Sequence, residues 1–544
     1  MPGCTIKTAP RFTLNLSLTN PTFRLPDLYS TAKLFGFGLK IFHPWNNHEV
    51  DKEEDDEVSE RETWEFVHSG RSAFVIIGFT DEDGREVRDL ERCLRYCRQL
   101  GERCIMIKSI HQLFHHAPTL PKLHEHLEQT KRNDVHLWKP DNEEKGSFAF
   151  DVQRIGKRRS QSATRTIVES FAYMAMTTPI RMKDPEVLYT YFEEYEDAQA
   201  QERAQLLSGQ LEQTRLDIPF ASEKDKKVVQ IDYEEGKFVG GGNLGFLRQI
   251  YFGRLVCEGS ARLLIKKFEV KERAFYGNTS MESEMSLLMA GQTLSSAGKS
   301  VYDPFAGTGS LLYTCAHWGS MVIGSDIDGR QMRGKDASGP GVFRAATKYG
   351  LRNRILDCLT FDVTRNGWRR GGLFDAIITD PPYGVRAGAK RLGRNEKNGR
   401  MQKDEPVLMP DGTYSHLQPG YIPVSRPYEM TDLVYDLVLF GRWMLVPGGR
   451  LVFFLPTVTE DWDDLDVPVV QGMKEIKFCS GSSQDFGRWS RRLITMEKTD
   501  SETYPRPDFL PVEMEKVPGH HNFPQRFMEG FDPRPRPGQA NESA

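Results

Sequence analysis

Between residues 300 and 384, four short apolar runs each end on an aspartate: SVYD at Asp303, MVIGSD at Asp326, LTFD at Asp362 and FDAIITD at Asp380. Such runs, separated by helix-length stretches, read as parallel strands of an α/β sheet. In a parallel sheet, ligands bind outside the carboxyl ends of the strands, so the pattern gathers four carboxylates at one crevice. One acidic strand end would be chance. The first strand runs into Pro304-Phe305-Ala306-Gly307-Thr308-Gly309 and then a helix, a turn whose glycines let backbone approach a ligand beside unpaired helix N–H groups. Leu312 stands where a dinucleotide fingerprint needs its third glycine, which disfavours NAD. Asp326 follows the turn at a spacing that suits ribose hydroxyls.

The fourth strand delivers Asp380-Pro381-Pro382-Tyr383. A proline-stiffened strand exit is the plain account of this tetrapeptide. The chemical one starts from an amino group on a base, whose lone pair is delocalised into the ring. If the Asp380 carboxylate and the Pro381 carbonyl accept from that amine, they hold it in line with an electrophilic methyl group and stabilise the charge developing on nitrogen. Pro382 offers no competing N–H, and Tyr383 can stack on a base taken out of its helix.

The rest of the chain bounds the context. At roughly 150 residues per domain, 544 residues make three to four domains. No apolar run is long enough for a membrane-spanning helix, and no secretory signal opens the chain, so an intracellular, cytoplasmic protein is expected. Eight cysteines show no zinc-ligand spacing, and no metal site is expected; Cys93 and Cys97 read as buried thiols on a helix. The balance of 72 basic and 76 acidic residues excludes a uniformly basic surface but not local ones. Five basic residues without an acid lie between Arg154 and Arg165, including Lys157, Arg158 and Arg159. Seven basic residues against one Glu lie between Val385 and Lys403, including Arg386, Lys390 and Arg391. Both stretches can track phosphates, although a solvated loop is the ordinary fate of a charge run. Arg488, Arg491 and Arg492 flank Trp489 ahead of the expected last strand LITMEK, with nucleotide contact and structural pairing equally open.

Five regions are expected: an α+β region over 1–65 with an acidic insertion at 49–65, a second α+β domain over 66–195, a linker region with a polar helix over 196–274, the sheet domain over 275–500 and a loosely held Pro-rich tail over 501–544. GKRRSQSATRT, at 156–166, reads as a basic loop and TIVESFAYMAM as the helix after it. The three glycines at 240–242 read as a turn.

DPFAGTGS, SDID, FDV and DPPYG, with FYGNTSMESE upstream, are similar to the motifs of S-adenosylmethionine-dependent amino-methyltransferases with a Rossmann-like sheet. IGSDIDGRQMRGK, PYGVRAGAKRLG, YIPVSRPY and RWSRRL extend the likeness to eukaryotic tRNA (guanine-10-N2)-methyltransferase catalytic subunits, strongly over 250–496 and in outline before 145. The resemblance implies an α/β fold preceded by an α+β region with a THUMP-like, tRNA-binding domain at 66–195. It implies S-adenosylmethionine as cofactor, with Thr279, Ser280, Met281, Asp303, Phe305, Gly307, Thr308 and Gly309 around its methionine end, Asp326 and Ile327 at the ribose and Asp362 at the adenine amine. Asp380 to Tyr383 would hold guanine N2. It further implies a small zinc-binding activator subunit as partner, any zinc belonging to that partner. Where the family continues into a helix after RGK, Gly339-Pro340-Gly341 leaves the helix start open.

Rival readings are a DNA adenine-N6 methyltransferase, a protein glutamine methyltransferase and a catalytically idle RNA-binding scaffold. The basic loops and long N-terminal half speak against a protein substrate, and no groove-reading element is evident for DNA. The intact tetrapeptide speaks against an idle scaffold. Uracil-type C5 chemistry needs a thiolate, and no Cys lies in the motif.

Overall fold

In the computed structural model, alternating apolar segments pair into two separate large sheets. The structure describes residues 9–42, 65–132, 137–138, 146–155, 161–197, 229–232, 237–240, 245–334, 341–384, 388–393, 407–418, 424–458, 466–477, 482–510, 518, 520–521 and 523–529. The acidic insertion, nearly all of the polar helix, most of the glycine turn at 240–242, and Lys157, Arg158, Arg159 and Arg386 lie outside them. The chain divides into two units, one of residues 1–24 and 31–262, the other of residues 25–30 and 263–544.

The first unit is built on β1 (Phe12–Leu16), β2 (Gly38–Phe42), β3 (Phe74–Thr80), β4 (Ile107–Ala117), β5 (Phe148–Arg154) and β6 (Val187–Asp197). A small hairpin, β7 (Val229–Asp232) with β8 (Lys237–Gly240), precedes β9 (Gly245–Glu258). The seven-stranded order is β2-β3-β1-β4-β9-β6-β5. Two expectations are corrected here. β1 lies between β3 and β4, so the segment read as a separate first region shares one sheet with the strands of the second. β9, read as part of a linker region, is inserted between β4 and β6. Hydrogen-bond partners in a sheet are chosen non-locally, and no local pattern announces them.

The helix Leu90–Arg103 starts where the Asp89 side chain accepts from Arg92 N at 2.6 Å, and buries Cys93, Tyr96, Cys97 and Leu100 at helical spacing. A further correction concerns GKRRSQSATRT: Gln161–Ser170 is helical, so the helix begins inside the expected loop and ends before the FAYMAM segment, where Ala172–Met174 makes a single 3-10 turn. Phe150, Phe171, Tyr189 and Phe252 stack in the core beneath.

The second unit carries β10 (Ser300–Asp303), β11 (Met321–Asp326), β12 (Ile355–Thr360), β13 (Phe374–Thr379), the hairpin β14 (Lys390–Leu392) with β15 (Ser425–Pro427), then β16 (Leu445–Val458), β17 (Met473–Glu475), β18 (Ser483–Asp485) and β19 (Trp489–Lys498). Its main order is β12-β11-β10-β13-β16-β19-β17, with β18 on β19. The first five strands are parallel and β19 is antiparallel to β16. Strand order reverses between β10 and β13, which opens a crevice at their carboxyl ends. The apolar face of helix Met430–Met444 packs on Tyr302, Phe374, Ile377, Leu451 and Phe453. RWSRRL lies largely inside β19 rather than ahead of it. The helix Arg330–Arg333 ends at the arginine of RGK, and the next described helix begins at Val342. The tail is not loose throughout: Phe523–Glu529 is a helix, with Phe523 buried and both Phe523 and Phe527 edge-on to Trp489. Among the described residues, no helix is long and apolar enough to cross a membrane.

Candidate active site

Asp303 ends β10, and Gly307 and Gly309 adopt positive φ of 50° and 83° in the turn after it. A Cβ at Gly309 would press on Tyr313 Oη at 3.0 Å and Val342 Cγ1 at 3.1 Å, so that glycine is required by packing as well as by backbone angle. At Gly307 a Cβ would meet nothing closer than 4.0 Å, so its side stands open. The turn is tied to the next strand end: Gly307 N donates to Asp326 Oδ2 at 3.0 Å, while Asp326 Oδ1 accepts from Asp328 N at 2.9 Å. Asp328 itself pairs with Arg330 and accepts from its backbone N–H at 3.1 Å.

The upstream motif is brought to the same turn. Ser280 Oγ lies 2.7 Å from Thr308 Oγ1, and Gly277 N donates to Ser280 Oγ at 2.9 Å. Met281 is buried and Thr279 exposed. The buried Arg273 clamps the two pieces, donating to Ser310 Oγ at 2.5 Å and to Met281 O at 3.4 Å. Phe305 and Ile327 are half-buried, Phe305 against the sheet's core.

Asp362 is buried, and both its oxygens are engaged: Oδ1 accepts from Thr364 N at 2.8 Å, and Oδ2 accepts from Leu392 N at 2.5 Å. Leu392 belongs to the hairpin that carries Lys390 and Arg391, which sit 1–2 residues away; Lys390 is exposed, and Arg391 lies over the Tyr428 ring at 5.3 Å.

On the other side of the crevice, Thr379 Oγ1 donates to Asp303 Oδ1 at 2.8 Å, so the ends of β10 and β13 are joined one residue before Asp380. The Tyr383 hydroxyl donates to Asp380 Oδ1, and Arg491 Nη1 approaches Asp380 Oδ2 at 3.3 Å. Pro381 is buried; Pro382 and Tyr383 are half-buried. Burial pushes the Asp380 carboxyl up, and the Arg491 guanidinium and then the Tyr383 hydroxyl oppose it. Burial likewise raises Asp326, against its two backbone hydrogen bonds. Asp303 is pushed up to about 8 by burial, with Asp326 and Asp380 adding repulsion against the Thr379 and Phe305 hydrogen bonds. Three carboxyl groups crowded at the strand ends beside an open glycine turn suit a cationic ligand, whose charge favours the ionised form that burial disfavours at Asp303.

The four strand-end carboxylates therefore share one unit and one edge of one sheet, and Ser280 and, through Arg273, Met281 are tied to the glycine turn. Of the basic residues expected to track phosphates, Lys390 and Arg391 are among the described residues, side by side on β14. Sequence reasoning missed Thr379 and left Arg491 open; the basic RWSRRL motif was the one available signal.

Comparison with known proteins extends this picture. Residues 90–209 match the model described as Tmrp11 THUMP N-terminal domain, and residues 271–397 match the RMKL-like methyltransferase domain. The tRNA (guanine(10)-N(2))-methyltransferase of Saccharomyces cerevisiae is 32% identical over 393 residues, covering 72% of this chain and 79% of that protein. The human protein TRMT11, of the same description, is 28% identical over 549 residues, covering 98% of this chain and 97% of its own length. The counterpart in Schizosaccharomyces pombe is 32% identical over 435 residues, 79% of this chain and 78% of that protein. With a methyltransferase domain laid over the glycine turn and the Asp-Pro-Pro-Tyr loop, and likeness of that extent across both units, this chain is an enzyme of the tRNA (guanine(10)-N(2))-methyltransferase family.

Proposed function

We propose that this protein transfers a methyl group from S-adenosylmethionine to the exocyclic N2 of guanine 10 in tRNA, as the catalytic subunit of a complex with a small zinc-binding activator. The observation that carries the reading is the meeting of Asp303, Asp326 and the Asp380–Tyr383 loop at the point where strand order reverses.

The residues present fit the cofactor. The open side of Gly307 leaves room for close backbone approach, and the crowded carboxylates match a sulfonium and an ammonium charge. Thr279 to Met281 and Asp303 to Gly309 would receive the methionine end, Asp326 and Ile327 the ribose, and Asp362 the adenine amine. S-adenosylmethionine bound there supplies an electrophilic methyl carbon with sulfur as leaving group.

The protein's part is to prepare the amine. Asp380 and the Pro381 carbonyl accept from N2, which aligns it and offsets the charge it gains. A carboxylate has about four lone-pair sites, so Asp380 can hold Tyr383, Arg491 and the amine together. Tyr383 closes on the face of the flipped base, and the proton leaving N2 passes to Asp380 or to water. Lys390 and Arg391, with Lys157, Arg158, Arg159 and Arg386, would follow tRNA phosphates, and the THUMP-like region would hold the tRNA elsewhere.

The test is methyl transfer from labelled cofactor to unmodified tRNA transcripts, with and without the co-expressed activator, and then nucleoside mapping. Label in N2-methylguanosine at position 10 is the expected result. Label in DNA or protein alone overturns the substrate, and a rate independent of the activator overturns the complex.

A further inference from the structure

Arg491 reaches the Asp380–Tyr383 loop from β19, two strands across the sheet from β13. It sits on β19 opposite Pro456 of β16 and is the cross-strand partner of Gln484 on β18. Its Nε donates to Gln484 Oε1 at 2.7 Å, and Gln484 Nε2 donates in turn to Glu282 Oε1 at 2.6 Å. Arg491 Nη2 lies 3.5 Å from the same Glu282 oxygen, and the guanidinium lies over the Phe454 ring at 4.3 Å. Its side chain is 12% exposed. Apart from Asp380, a neutral side chain, a carboxylate and an aromatic face all hold this guanidinium, so its place is set independently of the carboxylate it meets.

Asp380, by contrast, hangs from an irregular loop, and a carboxylate there has free side-chain torsions unless something pins it. Tyr383 takes one oxygen and Arg491 the other, which fixes the carboxylate plane. Glu282 comes directly after Thr279 to Met281, so one chain of contacts runs from the methionine-end motif through Gln484 and Arg491 to the amine acceptor. We propose that Arg491 is a positioning residue for methyl transfer: it holds the Asp380 carboxylate in the orientation that receives the base amine, and is itself held by Gln484 and Glu282. This rests on the reading of Asp380 as the acceptor for guanine N2.

The groups facing Asp380 are Tyr383 from its own loop, Arg491 from β19 and Asp303 from β10, while Glu282 faces Arg491 from the turn before helix Ser283–Gln292. Arg491 is the largest influence opposing burial. Removing it leaves burial opposed by the Tyr383 hydroxyl alone, so Asp380 must protonate at higher pH.

The experiment is single-turnover methylation of tRNA by the full-length complex at saturating cofactor and RNA, from pH 5.5 to 9, for wild type, Arg491→Met, Arg491→Lys and Gln484→Leu. Cofactor affinity is measured by calorimetry on the same preparations. Arg491→Met should lower the rate roughly 100-fold, the cost of a misplaced reacting group, and move the acid limb of the rate profile to higher pH. Arg491→Lys should recover to within about tenfold of wild type with its acid limb near the original, and cofactor affinity should stay within about threefold throughout. A rate and acid limb unchanged in Arg491→Met overturn the proposal, as does a rate loss matched by lost cofactor binding. If Arg491→Met does not fold, Gln484→Leu decides: it should slow transfer about tenfold at unchanged cofactor affinity, and a wild-type rate overturns the proposal. Wild-type protein that labels no guanine overturns the reading of the site and this proposal with it, whereas an active wild type with an indifferent Arg491→Met overturns this proposal alone.

Discussion

Thr379 Oγ1 donates to Asp303 Oδ1 at 2.8 Å, linking the carboxylate that ends β10 to the last residue of β13, immediately before the Asp380–Tyr383 loop. Phe305 N adds a second hydrogen bond to the same oxygen at 3.0 Å, yet Asp303 is 1% exposed and its carboxyl is still pushed up to about 8. Burial is the first cause and the Asp326 and Asp380 charges add to it. Two hydrogen bonds do not offset that much desolvation.

The ligand-free protein should carry a pH signature of this burial. Between the ordinary Asp value of 3.8 and about 8, the native state keeps a proton on Asp303 that the unfolded chain has lost. Stability must therefore fall as pH rises through that window and level off above it. Asp303→Asn keeps the Thr379 acceptor but cannot ionise. Thermal unfolding of the ligand-free protein from pH 5 to 8 should show the variant gaining on wild type by on the order of a few kcal/mol. Parallel curves would mean that Asp303 is ionised throughout.

Gly384, directly after the Asp380–Tyr383 loop, sits at φ 83°, and a Cβ there would come within 2.5 Å of Pro524 Cγ. Gly384→Ala is thus expected to strain the loop and displace the tail helix together, lowering turnover roughly tenfold or more while leaving cofactor affinity unchanged. Ending the chain at His521 removes the same support and uncovers Trp489, which should shift its fluorescence to longer wavelength. Full activity in the shortened chain would show that the loop stands without the tail.

The strand ends were legible because their signal is local: Asp303, Asp326, Asp362 and Asp380 each close an apolar run, and Gly307 and Gly309 mark a turn no other residue suits. Arg491 was not, because its meeting with Asp380 spans 111 residues and depends on the antiparallel register of β16 against β19. β9 escaped for the same reason; nothing in Gly245–Glu258 says that it pairs with β4 and β6. The tail helix was hidden by composition, since two aromatic residues, Phe523 and Phe527, supply its ring contacts to Trp489 within a proline-rich stretch.

Asp326 and Asp380 should separate when truncated. Asp326 faces the glycine turn through Gly307 N, whereas Asp380 is bound to Tyr383 and Arg491 on the acceptor side. Asp326→Ala should weaken cofactor binding about tenfold or more by calorimetry, losing both the proposed ribose ligand and the anchor of the turn. Asp380→Ala should lower the transfer rate at saturating cofactor by about 100-fold or more with affinity nearly unchanged. Equal loss of both properties in both variants would contradict the division of roles.

Lys390 and Arg391 are adjacent but held differently, and salt should tell them apart. Lys390 is exposed on β14, while Arg391 lies over Tyr428, whose hydroxyl donates to Asp436 at 2.6 Å. The next residue, Leu392, is anchored on Asp362. A lysine that meets a tRNA phosphate releases a counterion, so Lys390→Ala should make the dependence of log affinity on log salt shallower by about 0.7 to 0.9, with cofactor binding untouched. Arg391→Ala also strips packing from the hairpin anchored on Asp362, and should weaken cofactor as well as tRNA. An unchanged salt slope in Lys390→Ala would remove this hairpin from the tRNA path, while cofactor affinity unchanged in Arg391→Ala would show that the hairpin does not support the Asp362 side of the crevice.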